Sequence, residues 1–283
     1  IALDDALASG AAEVREVDGG GSVNTLVIEN KGTTPVYVLA GTVVKGGKQD
    51  RQIGQDFIID SKQTTPVDAF CVEHGRWTAQ RNGQGTGGKF QTSDVVATSK
   101  VRAAGQYKKS QGEVWSNVGK SNSSLHTQTS SDTFVAAVDD QALAKDRTAL
   151  AARIEQVLGA VSPQDDVVGI GYAIDGEVRG VRWFAHHKVF TMQEKKLVNG
   201  IALEAITAKA DGKPASNKPA PTAADVEKFV KDVEAQAVKE DRDTPAANVN
   251  QYKESDAAYG SSTMMKPKGG SPAKPVSKDF TKK

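Results

Sequence analysis

Val36-Tyr37-Val38-Leu39-Ala40-Gly41-Thr42-Val43-Val44, followed after Lys45 by Gly46-Gly47-Lys48-Gln49-Asp50-Arg51, decides how this chain is read. The first part is rich in β-branched residues and predicts a strand over 36–44. The second part is polar and charged and opens on paired glycines. It predicts a loop whose backbone can approach a partner closely. The same alternation extends outward in both directions. Glu13–Val17 and Ser22–Glu29 come before it, and Asp56–Asp60 and Pro66–Glu73 after it. Gly19-Gly20-Gly21 and Asn30-Lys31-Gly32 read as turns between them. Five short strands between residues 13 and 73 point to a sandwich or barrel layer rather than βαβ units.

Outside this block the pattern changes. Leu3–Ser9 predicts a short helix stopped by Gly10. Residues 78–133 are rich in Gly, Ser, Gln, Thr and Asn, with short helical turns expected near Asp94–Gln106 and Glu113–Val118. Leu143, Leu150, Ile154 and Leu158 fall near helical spacing and predict a helix over 139–158. Asp175-Gly176, between Val167–Ile174 and Glu177–Phe184, is a type I′ hairpin signal. Pairing through that turn is expected to gather Gly169, Gly171 and Gly180 on one face, covered by the 139–158 or 192–208 helix. Helices are predicted at Met192–Ala208 and Thr222–Val238, joined by a Pro/Lys linker at 211–221. A last strand pair is expected at Val249–Glu254 and Ala258–Met264. The fold class is therefore α+β. A β-rich, sandwich-like core occupies a single domain over 1–264, with packed helices mainly in the C-terminal half and a basic Lys/Pro tail at 265–283.

The chain has 283 residues, 38% hydrophobic and 25% charged, with a formal net charge of +1. That is a globular composition with no global field to draw nucleic acid or an anionic membrane. The charge is uneven. Residues 266–283 carry six lysines against Asp279 alone, leaving 1–265 net acidic. Such a tail cannot order itself. If ordered, Phe280 is expected to sit in an apolar pocket, with the lysines facing the acidic remainder of this chain or of a neighbour. Self-association through 266–283 is the corresponding partner expectation. No apolar run is long enough to span a membrane. A first residue of Ile1 rather than Met points to removal of an upstream segment, and slightly favours a secreted or cell-surface location. The one cysteine, Cys71, rules out an intrachain disulfide.

Two segments carry the candidate chemistry, Gly46–Arg51 and Cys71-Val72-Glu73-His74-Gly75-Arg76-Trp77. Lys48, Gln49, Asp50, Arg51, Glu73, Arg76 and Trp77 are the candidate ligand-binding residues, with an anionic small ligand in view. The competing reading, which is favoured, is an internal ion pair of Asp50 or Glu73 with Arg51 or Arg76. Either way, Arg51 and Glu73 are expected in one polar cluster. No Gly-Lys-Ser/Thr follows the glycines, so this is not a P-loop. Cys71 and His74 lack the further ligands of a zinc site, so no metal or cofactor is expected. Strand alternation points the two apart, which argues against a thiol–imidazole pair. Trp77 and Trp115 suit stacking platforms or core anchors, the latter favoured. Glu73 is the best acid–base candidate but has no second group at a catalytic spacing.

An ordered set of motifs resembles a known family. It comprises Leu3-Asp4-Asp5-Ala6-Leu7, Gly21–Leu26, Leu39-Ala40-Gly41, Gly46–Arg51, Cys71–Trp77, Val101-Arg102, Gln111 with Val114-Trp115, and Val168-Gly169 with Gly171. The family is the bacterial domain named for association with ADP-ribosylglycohydrolases and rhodanese-phosphatases. The resemblance implies a β-rich domain with packed helices and a proposed link to nucleotide or ADP-ribose metabolism through gene neighbours. The Lys/Pro tail lies outside the pattern. The leading functional reading is a non-catalytic ligand- or partner-binding module. The alternatives are a structural or assembly subunit of a cell-surface structure and a hydrolase acting on a nucleotide-like substrate.

Overall fold

The computed structural model describes residues 1–17, 23–81, 83–212, 218–266 and 272–283. The Gly19–Gly21 turn, Ser22, residues 213–217 of the linker and residues 267–271 of the tail lie outside the described residues. The chain is α+β. The N-terminal half comprises α1 (Leu3–Ala8), β1 (Ala12–Glu16), β2 (Thr25–Asn30), β3 (Val36–Val38), β4 (Thr42–Gly46), β5 (Arg51–Ile53), β6 (Phe57–Ile59), β7 (Thr64–Cys71), the short pair β8 (Gln80–Arg81) and β9 (Gln84–Gly85), β10 (Phe90–Val96), α2 (Ser99–Gln106) and α3 (Gln111–Leu125). The rest comprises α4 (Val135–Asp139), α5 (Gln141–Gly159), β11 (Gly169–Ile174), β12 (Glu177–Phe184), α6 (His187–Ala210), α7 (Ala223–Glu234), β13 (Glu240–Asp243), β14 (Asn248–Glu254), β15 (Ala258–Met265) and β16 (Lys274–Lys282).

Two antiparallel six-stranded sheets organise these elements, in the orders β1-β2-β7-β5-β4-β10 and β11-β12-β16-β15-β14-β13. The first curls on itself, because an Arg15–Lys89 bridge brings its two edges together. Inside the curl lie Val14, Leu26, Ile28, Val44, Ile53, Val67 and Phe90, with Leu3 of α1 and Phe57 of β6. Each such side chain contributes roughly 1.5–3 kcal/mol by leaving water. Helices α2, α3 and α4 cover its other face through Val101, Val114, Val118, Phe134 and Val135. Helix α6 runs against β10 so closely that a Cβ on Gly200 would stand 2.5 Å from Val96 Cγ2.

Several expectations are corrected in detail. The 36–44 strand is two strands, because Gly41 turns the chain at φ +83°. A Cβ there would meet Arg102 Cδ at 2.5 Å, so only glycine lets that side chain pass. The polar middle contains a full strand, β10, and a 15-residue helix, α3. That helix is rich in Ser, Gly and Asn, yet its N-terminus is capped by Ser110 and it buries Val114, Val118 and Leu125 along one face. Arg51 is not in a loop but opens β5, a fully buried strand.

The hairpin turns at Asp175-Gly176 (φ +53° and +72°), but an irregularity between Tyr172 and Ala173 shifts the register. Gly171 then faces Val181, and Gly180 faces Tyr172. The three glycines do not gather under α5 or α6. Gly180 is crowded by the Tyr172 ring and the Phe280 carbonyl, and Gly171 meets Val226 of α7.

Residues 274–282 of the expected tail are β16, which lies between β12 and β15 inside the second sheet. Phe280 is buried with Val233, Ala258 and Phe229 under α7. The lysines find carboxylates within the chain: Lys278 pairs with Glu234, Lys282 with Glu177 and Lys283 with Glu254. Composition alone marks this segment as unstructured. Ladder bonds on both sides and neutralised lysines order it.

The inner face of β16 carries the polar seam between the two halves. Asp279 ion-pairs with Arg102 of α2 and, at 2.9 Å, with Arg182 Nε of β12. Asp56, beside β6, accepts from Tyr37 (2.5 Å), Ser277 (2.8 Å) and Thr263 (3.0 Å). Burial pushes the Asp279 carboxyl up, but Arg102 and Arg182 outweigh it and hold the group below its ordinary range. The carboxylate therefore adds stability at neutral pH that is lost as pH falls below about 4, the ordinary aspartate range. Asp279→Asn leaves the buried Arg102 guanidinium without a counter-charge and Arg182 with only Asp56, 3.9 Å away. It is expected to cost about 3–5 kcal/mol in urea unfolding and to flatten the acid limb of stability against pH. A variant as stable as the parent would show that the seam is not a net contributor.

Candidate functional site

The seven candidate residues come together where β4 turns into β5 beside the end of β7. Gly46 (φ +138°) and Gly47 (φ +46°) shape the turn. A Cβ on Gly47 would strike the Phe90 ring at 2.2 Å, so the glycine is needed for close approach as well as for backbone angle. Asp50 is buried beneath the turn. Its Oδ1 accepts from the Gly46 amide at 3.0 Å and its Oδ2 from the Thr133 hydroxyl at 2.8 Å. Burial raises the Asp50 carboxyl, opposed by the nearby Arg81 charge.

Glu73, just beyond β7, closes the knot. Its Oε2 accepts from the Asp50 amide at 2.9 Å, and both oxygens accept from Arg76 Nε at 3.0 Å. The rest of the Arg76 guanidinium donates to the carbonyls of Gly47 (2.8 Å), Thr78 (2.8 Å) and Gly46 (3.1 Å). Arg76 Nη2 also lies 3.4 Å from Asp50, and Arg81 Nη1 lies 3.0 Å from it. Two buried carboxylates thus share two guanidinium groups, and Arg76 donates at every nitrogen. Sequence reasoning missed Arg81, Thr133 and Glu16, which accepts from the Lys48 amide at 2.7 Å. Arg81 and Thr133 lie in the Gly/Ser-rich stretch, where no local pattern singles them out.

Arg51 stands apart from that network. No bond joins it to Glu73, and its cross-strand neighbour is Cys71. It is 2% exposed, and its Nη1 donates only to the Gln49 carbonyl (3.0 Å) and side chain (3.3 Å). Its Nε is buried without an acceptor among the described residues. Desolvation pulls its pKa down, partly offset by the fields of Cys71, Glu16 and Asp50. Trp77 is 49% exposed, so it is not a core anchor. It lies within cation–π range of Lys48 Nζ at 5.6 Å and of the Arg51 guanidinium at 5.7 Å.

Trp115 serves the scaffold. Its indole N–H donates to the Glu73 carbonyl at 3.2 Å, and the His74 ring meets it edge-on at 4.6 Å. Gln111 holds both backbone groups of Cys71 at 2.8 Å. Burial pushes the Cys71 thiol up, away from the thiolate needed for nucleophilic attack. Among the described residues no group of three or more His, Cys, Asp or Glu is placed to hold a metal ion, and no helix is long and apolar enough to cross a membrane.

An α+β chain with a buried ion knot supporting an exposed tryptophan is the class that fold and site define together. The family model of the ARG and Rhodanese-Phosphatase-superfamily-associated Protein domain, ARPP-1, matches residues 1–270, and the chain belongs to that family. No curated protein and no solved structure matches it. Three motifs of the resemblance share a location: Gly46–Arg51, Cys71–Trp77 and Gln111 with Trp115 lie at or beside this knot.

The geometry separates scaffold from surface. Arg76→Ala removes the donor to Glu73 and to three carbonyls, and is expected to cost about 3–5 kcal/mol in urea unfolding. Lys48→Ala, at the exposed rim, should stay within about 0.5 kcal/mol of the parent. Equal effects of the two would refute the division.

Proposed function

We propose that this protein is a non-catalytic binding module that takes an anionic small ligand at Arg51 and Lys48, with Trp77 as the mobile cover. One observation carries the reading. Arg76, Arg102, Arg147 and Arg182 each place a largely buried guanidinium against a carboxylate. Arg51 is as deeply buried and has no carboxylate within ion-pair range among the described residues. A desolvated, uncompensated cation costs several kcal/mol. An anion arriving from outside would remove that cost and be held by charge-assisted bonds. Lys48 adds a second charge at the rim, and the half-exposed Trp77 can swing to admit and then cover the ligand.

A catalytic role finds less support. The knot holds its carboxylates in saturated contacts, and Cys71 is a neutral buried thiol. Self-association through 266–283 rested on an ordered tail packed against a neighbour; with 274–282 inside this chain's own sheet, the tail's order needs no second copy.

Titration with citrate and with inorganic phosphate is expected to raise the melting midpoint and change tryptophan emission. In Trp77→Phe the emission change should vanish while the stabilisation survives. In Lys48→Glu both should weaken at least tenfold in apparent affinity. Midpoints and emission indifferent to both anions at millimolar concentration would overturn the reading.

A further inference from the structure

A sizeable cavity lies away from the knot and is lined by none of its seven residues. It opens between the first turn of α2, the middle of α3, the end of α6 and the β11–β12 turn, with a volume of about 590 Å³. That lies within the range that holds a small organic molecule. We propose that this cavity is a second binding site, for a phosphate monoester.

The proposal follows from which groups in the cavity are already engaged. Its best-placed carboxylate is Glu204, whose Oε1 accepts from the Ser99 hydroxyl at 2.6 Å. Its Oε2 accepts from the Ser99 amide at 2.8 Å and the Tyr172 hydroxyl at 3.1 Å. Asp211 accepts from the Ser124 hydroxyl. These acceptors are occupied by the protein's own donors.

The cavity's donors are not similarly occupied. Lys100 and Lys120 line it, and neither has a carboxylate within ion-pair range among the described residues. Arg179 has only a loose partner, Glu177 at 3.7 Å. Thr98 and Ser121, each 7% exposed, also line the cavity. Thr98 sits at the N-cap position of α2, yet its side chain makes no cap bond. Neither hydroxyl has a protein partner among the described residues. Both hydroxyls are free to donate to whatever occupies the cavity.

Three cations and two hydroxyls thus line one space; of its three carboxylates, Glu204 and Asp211 are engaged by the chain's own donors and Asp175, at the turn, is the third. An acceptor-rich dianion answers that surplus of donors. The volume exceeds what phosphate alone fills, and Ile174 and Ala208 offer an apolar wall for an organic group. A monoester meets both requirements.

Isothermal titration of the full chain tests this with glucose 6-phosphate, glycerol 3-phosphate and AMP, beside inorganic phosphate and glucose. At least one ester should bind, at least tenfold tighter than inorganic phosphate, and glucose should not bind. Lys100→Ala/Lys120→Ala should fold normally, since both lysines are exposed, and should weaken that ester at least tenfold. Affinity should also fall as salt rises. Lys48→Glu should leave it unchanged, which separates this site from the Arg51 site. Three results overturn the proposal: no binding of any ester or of phosphate, equal binding of glucose, or unchanged affinity in the double variant.

Discussion

Asp279 compensates two buried guanidinium groups, and the connection between the two halves of the molecule depends on that arrangement. Arg102 comes from the helix packed on the first sheet, Arg182 from the second strand of the second sheet, and Asp279 from near the C-terminus. Removing a charge from water costs more than most single contacts return, so each such group must find a partner or stay outside. The last strand therefore has a fixed place. It must lie between β12 and β15 with Asp279 facing inward, because any one-residue slip would turn the carboxylate outward, leave Arg102 bare and leave Arg182 only the more distant Asp56. The Asp56 cluster extends the same seam with hydroxyl and amide partners, Tyr37, Ser277, Thr263, Asn248 and Asn250.

The same constraint explains the ion knot at Gly46–Trp77 and makes Arg51 informative. Glu73 and Asp50 are buried and shared by Arg76 and Arg81, so their charges cancel locally. In this chain a deeply buried guanidinium without a carboxylate is a departure from a rule observed elsewhere in the same molecule. Its position behind an exposed indole, next to a rim lysine, turns that departure into a functional reading rather than a packing detail. The two loop glycines belong to this logic too, since they let Phe90 pack close beneath the turn.

Much of this was legible in the sequence, and the gaps have physical causes. β-branched runs bounded by turn residues marked β2, β6 and β7, the Asp175-Gly176 turn marked the β11–β12 hairpin, and the capping pattern at Thr222 marked α7, where the reciprocal box is formed. The two charged segments were visible as neighbours in function before they were neighbours in space. What escaped was whatever long-range pairing decides. Strand β10 carries Ser93 and Asp94 at its centre and reads as polar until its pairing with β4 is known. Strand β16 reads as a Lys/Pro tail because its lysines are neutralised by Glu177, Glu234 and Glu254, which lie far away in the chain. Arg81 and Thr133 reach Asp50 across more than thirty and eighty residues, and no local pattern encodes such contacts. The hairpin faces were misassigned for a smaller reason, one irregularity after Tyr172 that alternation alone does not reveal.

The functional reading stands on the uncompensated charge of Arg51. Following the Nε–H proton of Arg51 by NMR during titration with citrate and phosphate examines that charge directly. Burial without an acceptor should give a resolved signal, and the expected result is a saturable shift as the anion docks, with the Arg76 signal stationary. An Arg51 signal that stays fixed while the anion concentration rises would contradict it.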